Sequence, residues 1–383
     1  MKRILVVSFI FPFPPTSGGG RDIYERIKAL RQHGCAVDLI TTPREIPDSE
    51  AVKYMQTMVN KLWVIPRTRN LYALLSLKPF QYETRTGIKS VALSDDYDAV
   101  LLESEFVGGI LENPTLRARR RILRVHNDEP DLYRSLAKDT TTFAERASFL
   151  AESYKLRHYS PQIMKQCDQL WYISDKEFEQ AAGSEWSTRA HHVPVLVNQA
   201  DFKRPSLASS KVLYVGALSI PINSHGLIWY MNNVHPHLLS IPGYEFVLAG
   251  KTGSAGVGKL LLDMVREGER VTYLPNVADL TPLYDSAGAF VNPIQRGAGV
   301  KIKSIDATIA GLPIVATSVG VEGTGFLNGI HAVVADSAEN FTQGVRGMLD
   351  DKERAHAMVS AAQQLLAKKN GSETISCLLE QLA

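Results

Sequence analysis

AGAFVNPIQRGAGVKIKSIDATIAGLPIVATSVGVEG, from Ala287 to Gly323, is the stretch that predicts the fold of this chain. Its apolar run at 289–292 predicts a buried strand, and the glycine-spaced turn at 297–299 lets the backbone approach a ligand closely. From Val300 the apolar residues recur mostly three or four apart, and the pattern stops at Gly311, which is how a helix ends. A second apolar strand follows directly. The stretch therefore predicts a βαβ unit.

The amino end of this predicted helix has the properties of an anion site. The unpaired N–H groups and the dipole at a helix N-terminus favour an anion, typically a phosphate. Arg296, Lys301 and Lys303 crowd the same end, where cations are disfavoured unless something negative lies among them. These residues predict a phosphate site, and a solvated basic turn is the alternative.

Length and composition set the broad class of protein. The chain has 383 residues and 45% hydrophobic content, which is enough for two α/β domains with separate cores. The net charge of +2 favours neither nucleic acid nor an acidic partner. Cys35, Cys167 and Cys377 lie far apart and match no metal-ligand spacing, as is typical of reduced thiols in a cytosol.

The N-terminus has the basic-then-apolar order of a signal peptide, MKRILVVSFIFPFPP. However, three prolines interrupt the run and no small-residue cleavage site follows, so we expect a first buried strand instead. No run reaches the ~18 apolar residues needed to span a bilayer. These features predict a cytoplasmic protein, and peripheral contact with the inner face of the membrane remains open.

Strands and helices alternate through the first half of the sequence. A strand-like run at 3–11 is followed by a glycine turn at 16–20 and a helical pattern up to His33-Gly34. The turn is not the GxGxxG fingerprint, so Gly19 and Gly20 predict either close approach of a bound molecule or a plain flexible loop. Further buried strands are predicted at 36–41, 97–103, 121–125 and 169–174.

Residues that directly follow buried strands are candidates for ligand contact, because ligands bind at the carboxyl ends of strands in open α/β sheets. His126 follows one such strand and could donate a hydrogen bond or act as an acid or base. Contact with a neighbouring loop is the alternative for this histidine. Asp96 and Asp98 suggest a metal site, but they precede a strand, so we interpret them as loop residues.

The most basic segment of the chain is Arg117 to Arg121. No aromatic residues are interleaved with these arginines, as a stacking nucleic-acid surface would require. We interpret the segment as a solvated helix end. Attraction to an anionic membrane or to an acidic acceptor is the alternative.

The strand–helix pattern breaks between Arg189 and Ser210, where two prolines are followed by a Ser/Ala-rich tail. We place the domain boundary there. One domain is predicted over 1–200 and a second over 211–368, and the apolar spacing within 369–383 fits a C-terminal helix. The α/β alternation thus predicts two Rossmann-like, doubly wound domains that face one another across a cleft.

The second half resembles the nucleotide-sugar domain of the retaining glycosyltransferases of family 4, which have the two-domain GT-B fold. Four segments carry this resemblance: YVGALSIPINSHGLIWY, FVLAGK, VTYLPNVADLTPLYDSA and NPIQRGAGVKIKSIDATIAGLPIVAT. The first half is similar more weakly, through its N-terminal strand and glycine loop, the HN of VHNDEPDLYR, and VNQADF at the domain junction. The resemblance spans nearly the whole chain, and the last of the four segments is its most specific part. It also implies that the C-terminal helix within 369–383 crosses back to the first domain.

The resemblance implies roles for particular residues. Asp306 matches the family's carboxylate that holds the ribose, and Ala298 stands where the family has a second carboxylate. No Lys or Arg occurs from 212 to 250, where many relatives place a phosphate clamp, and Arg296 is the nearest substitute. The implied catalytic residues are His126, Arg296 and Lys301. The implied donor-binding residues are Gly19, Gly20, Gly216, Asn276, Val277, Gly297, Ala298, Gly299, Val300, Lys303 and Asp306.

The implied activity is a hexosyltransferase-type transfer, with retention, from a UDP- or GDP-linked sugar to an acceptor hydroxyl in glycan, glycoconjugate or cell-surface polysaccharide synthesis. The acceptor would be a glycan, a lipid-linked glycan or a small molecule. No metal or other cofactor is implied, because backbone amides and cations stabilise the charge on the leaving diphosphate. A nucleotide-sugar epimerase of the same architecture and a non-catalytic sugar- or nucleotide-binding subunit are the alternatives.

Overall fold

The structure is a computed structural model, and it describes residues 1–15, 17–68, 73, 75–140, 142–204, 209–251, 256–275, 277, 279–297, 299–371 and 373–380. The chain divides into two compact units. The first contains residues 1–196 together with the C-terminal helix Glu373–Glu380, and the second contains residues 197–371. The division therefore falls after Leu196, slightly before the predicted end of the first domain.

The first unit is a parallel sheet of seven strands in the order β3-β2-β1-β4-β5-β6-β7, flanked by helices. Its elements in chain order are β1 (Arg3–Ser8), α1 (Gly18–Gln32), β2 (Ala36–Thr41), α2 (Ser49–Met58), β3 (Lys61–Val64), α3 (Phe80–Glu83), β4 (Asp96–Leu102), β5 (Arg117–Val125), α4 (Glu129–Asp139), α5 (Phe143–Lys165), β6 (Gln169–Tyr172), α6 (Asp175–Ala182) and β7 (Ala190–His192).

Both faces of this sheet are buried. Ile4 and Val6 of β1 belong to one apolar core, whereas Leu5 and Val7 belong to another. A strand that is covered on both faces needs apolar residues at consecutive positions, which explains the continuous run in the sequence. The first of these cores also contains Ile375 and Leu379 of the C-terminal helix.

The second unit is a parallel sheet of six strands in the order β10-β9-β8-β11-β12-β13. Its elements in chain order are β8 (Lys211–Val215), α7 (Pro221–Asn233), α8 (His235–Leu238), β9 (Glu245–Ala249), α9 (Gly256–Glu267), β10 (Val271–Leu274), α10 (Thr281–Ser286), β11 (Ala289–Asn292), α11 (Ile302–Ile309), β12 (Ile314–Ala316), β13 (Val333–Val334), α12 (Ala338–Asp350) and α13 (Lys352–Lys369).

The strand order of each sheet has one topological switch point. In the first unit, successive strands are added on one side of β1 (β2, then β3) and, from β4 onward, on its other side. In the second unit, β9 and β10 are added on one side of β8, and β11, β12 and β13 on its other side. At a switch point the two connections leave the sheet on opposite faces, which opens a crevice at the carboxyl ends of the central strands. Each unit therefore has one place where the fold itself favours a ligand.

Three local predictions in the first unit are wrong. The glycines at 18–20 are not a flexible turn but the first turn of α1, and the Ser17 hydroxyl accepts a hydrogen bond of 3.2 Å from the Gly20 N–H. Arg117 to Arg121 begin a strand, β5, and are not a helix end. Asp96 and Asp98 lie on β4 and not in a loop.

The reason for the last two differences is pairing between β4 and β5. Arg117 and Asp96 lie side by side in the register and form an ion pair of 2.6 Å. Arg119 Nη1 lies 3.8 Å from an Asp98 oxygen. Charges that alternate across exposed strand ends compensate one another, so the basic segment can extend the sheet. Both aspartates lie toward the amino end of β4, away from the ligand-binding edge, as predicted.

Helices that combine the length and apolar character needed to cross a bilayer are absent from the part of the chain that the structure describes.

Candidate functional site

The turn that connects β11 to α11 is fixed by a buried asparagine. Asn292, the last residue of β11, donates from Nδ2 to Ser304 Oγ at 3.0 Å and to the Gly320 carbonyl at 2.8 Å. Ser304 lies in the first turn of α11 and donates to the same carbonyl at 2.8 Å. The predicted strand, turn, helix and strand are confirmed, and α11 begins directly above the carboxyl end of β11.

Lys303, in the first turn of α11, reaches across the switch point of the second sheet. Its ammonium donates to Tyr214 Oη at 2.6 Å and to Asn223 Oδ1 at 2.9 Å. Tyr214 lies on β8 and Asn223 in the first turn of α7. A Cβ atom added to Gly216 would lie 3.2 Å from Lys303 Nζ, so glycine leaves room for the ammonium directly after β8. The structure thus brings together two predicted donor-binding residues, Gly216 and Lys303.

The surroundings of Lys303 disfavour its positive charge. Burial, with repulsion from Lys301, lowers the pKa of Lys303 to about 7. Its hydrogen-bond partners are neutral, and no carboxylate among the described residues forms an ion pair with it. It also lies in the first turn of one helix and contacts the first turn of another, where the positive dipole ends disfavour a cation. A bound anion would supply the missing counter-charge and so offset the cost of burial, the repulsion from Lys301 and the unfavourable helix dipoles.

The other two predicted cations have different surroundings. Lys301 Nζ donates to the Gly299 carbonyl at 2.7 Å and lies 3.4 Å from Glu322 Oε2, so it supports the turn itself. Its side chain is only 8% exposed. Arg296 is exposed on the loop before that turn.

The remaining predicted residues of the second unit lie around the same edge of the sheet or outside the described residues. Gly297 and Gly299 have φ angles of 123° and 79°, which only glycine adopts easily. Asp306 is half-buried on α11, one turn beyond Lys303. The other residues placed at this edge are Val277, after β10, and Val300, before α11. Asn276 and Ala298 lie outside the described residues.

The switch point of the first unit contains a buried network of charged side chains. Arg26 donates from Nε to Glu103 Oε1 at 2.8 Å and from Nη2 to Glu103 Oε2 at 3.0 Å, and Nη2 also donates to Asp22. Arg124 donates to both oxygens of Asp22 at 3.1 Å. All four side chains are fully buried. Two carboxylates and two guanidinium groups therefore compensate one another at the carboxyl ends of β1 and β4.

His126 lies against this network. Its Nδ1 is 3.8 Å from Asp22 Oδ2 and its Nε2 is 3.6 Å from Glu103 Oε2, and the side chain is 11% exposed. The ring of Phe9 packs edge-on against the imidazole with a centroid distance of 5.8 Å. Gly19 and Gly20, which are predicted donor-binding residues, lie in the first turn of α1, the helix that supplies Asp22 to this cluster.

The charges set the protonation of the two carboxylates. Burial by itself raises the pKa of Asp22, but Arg124 and Arg26 outweigh burial and hold this pKa well below its usual range. The pKa of Glu103 is likewise lowered by Arg26 in spite of burial. Asp22, Glu103 and His126 place three metal-ligating atoms within 4.8 Å of one another. The two buried guanidinium groups already satisfy these carboxylates and repel a cation, so the set does not favour a metal.

The sequence interpretation missed most of the polar residues in these two places. In the first unit these are Asp22, Arg26, Glu103 and Arg124. Arg124 interrupts an apolar strand and Glu103 directly follows one, and a charge in a buried strand was the available signal. Tyr214 and Asn223 carried no comparable signal, because neither residue type is unusual where it occurs.

Comparison with known proteins agrees with the fold and identifies the class. Residues 209–351 match the family described as glycosyl transferases group 1. The "Uncharacterized 44.6 kDa protein in cps region" of Klebsiella pneumoniae is 32% identical over 364 residues, which cover 91% of this chain and 93% of that protein.

Two solved structures share the GT-B fold at low sequence identity. Anabaena Alr3699/HepE in complex with UDP and glucose is 13% identical, with a TM-score of 0.66, and the match covers 100% of this chain and 99% of that chain. A TarM mutant of S. aureus, in complex with fondaparinux, alpha-GlcNAc-glycerol and UDP, is 9% identical with a TM-score of 0.69 and the same coverage.

The second unit carries the group 1 glycosyltransferase match, and the chain is a glycosyltransferase with the GT-B fold.

Proposed function

We propose that this glycosyltransferase moves a hexosyl group from a UDP-linked sugar to an acceptor hydroxyl, with retention of the anomeric configuration. The observation that carries the proposal is the Lys303 ammonium, whose partners at the switch point of the second unit are all neutral among the described residues. A cation kept in such surroundings matches the charge of a nucleoside diphosphate. We favour UDP as the nucleotide because both HepE and TarM were solved with UDP.

The diphosphate would bind between Gly216 and the amino end of α11. Lys303 then takes the part of the basic residues that many family 4 enzymes place after the first strand of this domain and that this chain lacks. Amide groups of the 297–299 turn and the α11 dipole would stabilise the charge that grows on the leaving diphosphate. Asp306 would hold the ribose, and the backbone at 276–277 would bind the base.

We assign a catalytic role in this transfer to His126, because the buried network of Asp22 and Glu103 presents its side chain at the carboxyl edge of the first sheet. In the reaction the acceptor oxygen bonds to the anomeric carbon as the bond to the diphosphate breaks. The acceptor proton passes to the departing phosphate oxygen, so this scheme requires no protein nucleophile and no metal.

The cps region that gives the Klebsiella relative its description supports a role in cell-surface polysaccharide synthesis. We propose a glycan or lipid-linked acceptor on this basis.

The test is incubation of the full chain with UDP- and GDP-sugars, with and without oligosaccharide and lipid-linked acceptors. Mass spectrometry detects a glycosylated product, and NMR of its anomeric proton gives the configuration. We expect an α-linked product from an α-linked UDP-sugar. An isomerised sugar without transfer would indicate an epimerase, and binding without turnover a non-catalytic subunit. In a parallel calorimetric titration, Asp306→Ala should weaken UDP binding, and an unchanged dissociation constant would refute the ribose assignment.

A further inference from the structure

The first unit contains a cavity of about 400 Å³. Sites for small molecules have volumes of roughly 300–1,000 Å³, so the cavity has the size of a ligand site. Val125 and Tyr172, the last residues of β5 and β6, line it, and these two residues are paired in the sheet. Asn127, which follows His126 in the chain, lines it as well. The cavity therefore lies at the ligand-binding edge of the sheet, beside the segment that carries His126.

Two glutamates in the wall of the cavity are more than nine-tenths buried. Glu105 accepts hydrogen bonds from Ser160 at 2.8 Å and from Ser104 at 3.2 Å, so both of its oxygens are engaged. Glu129 accepts from Asn127 Nδ2 at 3.3 Å through Oε1. Across the described parts of the chain, no donor reaches Oε2 of Glu129. This oxygen retains accessible surface in the cavity wall, so a ligand group can supply its hydrogen-bond partner.

The state of Glu129 suits a hydroxyl group. Burial raises the pKa of Glu129 well above its usual range, and repulsion from Glu105 raises it further, so the surroundings favour the neutral acid. A carboxylic acid offers one donor and an acceptor side by side. A sugar hydroxyl is likewise donor and acceptor at once, and therefore matches this group.

The remaining charges exclude anionic ligands. Asp128, Asp131 and Glu177 also line the cavity, whereas the cationic group in the wall is Arg157, which is exposed. A phosphate or carboxylate in the ligand would face this negative field. The apolar part of the wall includes Trp186, whose ring can pack against the C–H face of a sugar.

We propose that this cavity binds an uncharged sugar unit of the acceptor, with Glu129 recognising its hydroxyl groups. The inference rests on the proposed function, since it names the class of acceptor for that reaction. Any phosphate that the acceptor carries would lie outside the cavity.

The test uses the full chain and two variants of similar volume. Glu129→Leu removes both side-chain oxygens, whereas Glu129→Gln keeps a neutral donor and acceptor and serves as the matched control. Methyl glycosides of neutral hexoses are titrated and followed by saturation-transfer NMR, and UDP is titrated in parallel. We expect Glu129→Leu to weaken glycoside binding about tenfold and Glu129→Gln about threefold or less, because one hydrogen-bonding group is lost only in the first. UDP affinity should be the same in all three proteins.

Several results would overturn the cavity assignment. Equal glycoside binding by Glu129→Leu, no glycoside binding while UDP still binds, or tighter binding of hexose 6-phosphate than of the neutral glycoside would each do so. Preference for glucosamine with loss of binding in Glu129→Gln would identify a cation site instead. If UDP binds none of the three proteins while glycoside binding still depends on Glu129, the proposed donor is refuted and the sugar site is supported.

Discussion

The two switch points of this chain use buried charge in opposite ways. In the first unit, Asp22 and Glu103 are satisfied by Arg26 and Arg124, and each charge has a partner of the opposite sign. In the second unit, Lys303 has only neutral partners. Buried charges that are mutually paired hold a structure in place, whereas a partly buried cation without a carboxylate partner favours binding of an anion. The comparison therefore assigns a positioning role to the first network and a ligand-binding role to the second.

The largest expected effect comes from breaking the first network. Arg26→Met would leave Asp22 and Glu103 with a single guanidinium, Arg124, and removal of one partner of a buried pair costs about 3–5 kcal/mol. We expect a loss of this size in the free energy of unfolding, measured by urea denaturation. Lys28→Met on the same helix is the control, because its pair with Glu25 is closer to solvent and contributes about 1 kcal/mol or less. A similar small loss for both variants would contradict the comparison.

A smaller effect, on binding and not on folding, is expected from the second site. Lys303→Met should weaken UDP binding about 10- to 100-fold, because hydrogen bonds to a charged group contribute about 1.5–3 kcal/mol. Stability should change little, because relief of the uncompensated charge offsets the loss of the hydrogen bonds to Tyr214 and Asn223. Isothermal titration calorimetry measures the affinity and thermal unfolding the stability. Lys259→Met, exposed on α9, makes the same change in net charge and should leave UDP binding intact. Loss of stability without loss of affinity would make Lys303 a structural residue.

The smallest effect is a pH dependence of the same binding. With its pKa at about 7, Lys303 loses its proton in the free protein as pH rises above 7, whereas a bound diphosphate favours the charged form. UDP affinity should therefore fall above pH 7, by at most about tenfold per pH unit, and binding at pH 8 should take up protons. Calorimetry in buffers of different ionisation enthalpy measures this uptake. Lys303→Arg stays charged, so its affinity should be flat over this range, and a flat profile in the wild type would refute the assignment.

Much of the fold could be read from the sequence, and the errors have a common cause. The run at 36–41 gives a strand with the predicted bounds, because a strand buried on both faces has a largely continuous apolar signature. The interpretation of Arg117–Arg121 as a helix end is wrong because this segment is a strand that charge pairs with β4 stabilise. Pairs between strands distant in the chain leave no local pattern.

The candidate sites divide along the same line. Helix position indicated Lys303, because helix ends are a local property of the sequence, and Gly216 was implied by the family resemblance. Tyr214 and Asn223, which hold the Lys303 ammonium, could not be identified, because they reach it only when β8, α7 and α11 meet at the switch point.

The sequence by itself determined that this is a chain of two α/β units with a glycine-spaced turn and a helix end suited to phosphate. Only the tertiary structure decided which buried charges are compensated and which are not. The reason is that the pairs in question join distant parts of the chain, such as Asp22 with Arg124. Electrostatic energy depends on distance and burial in the folded state, and neither quantity is written in the order of the residues.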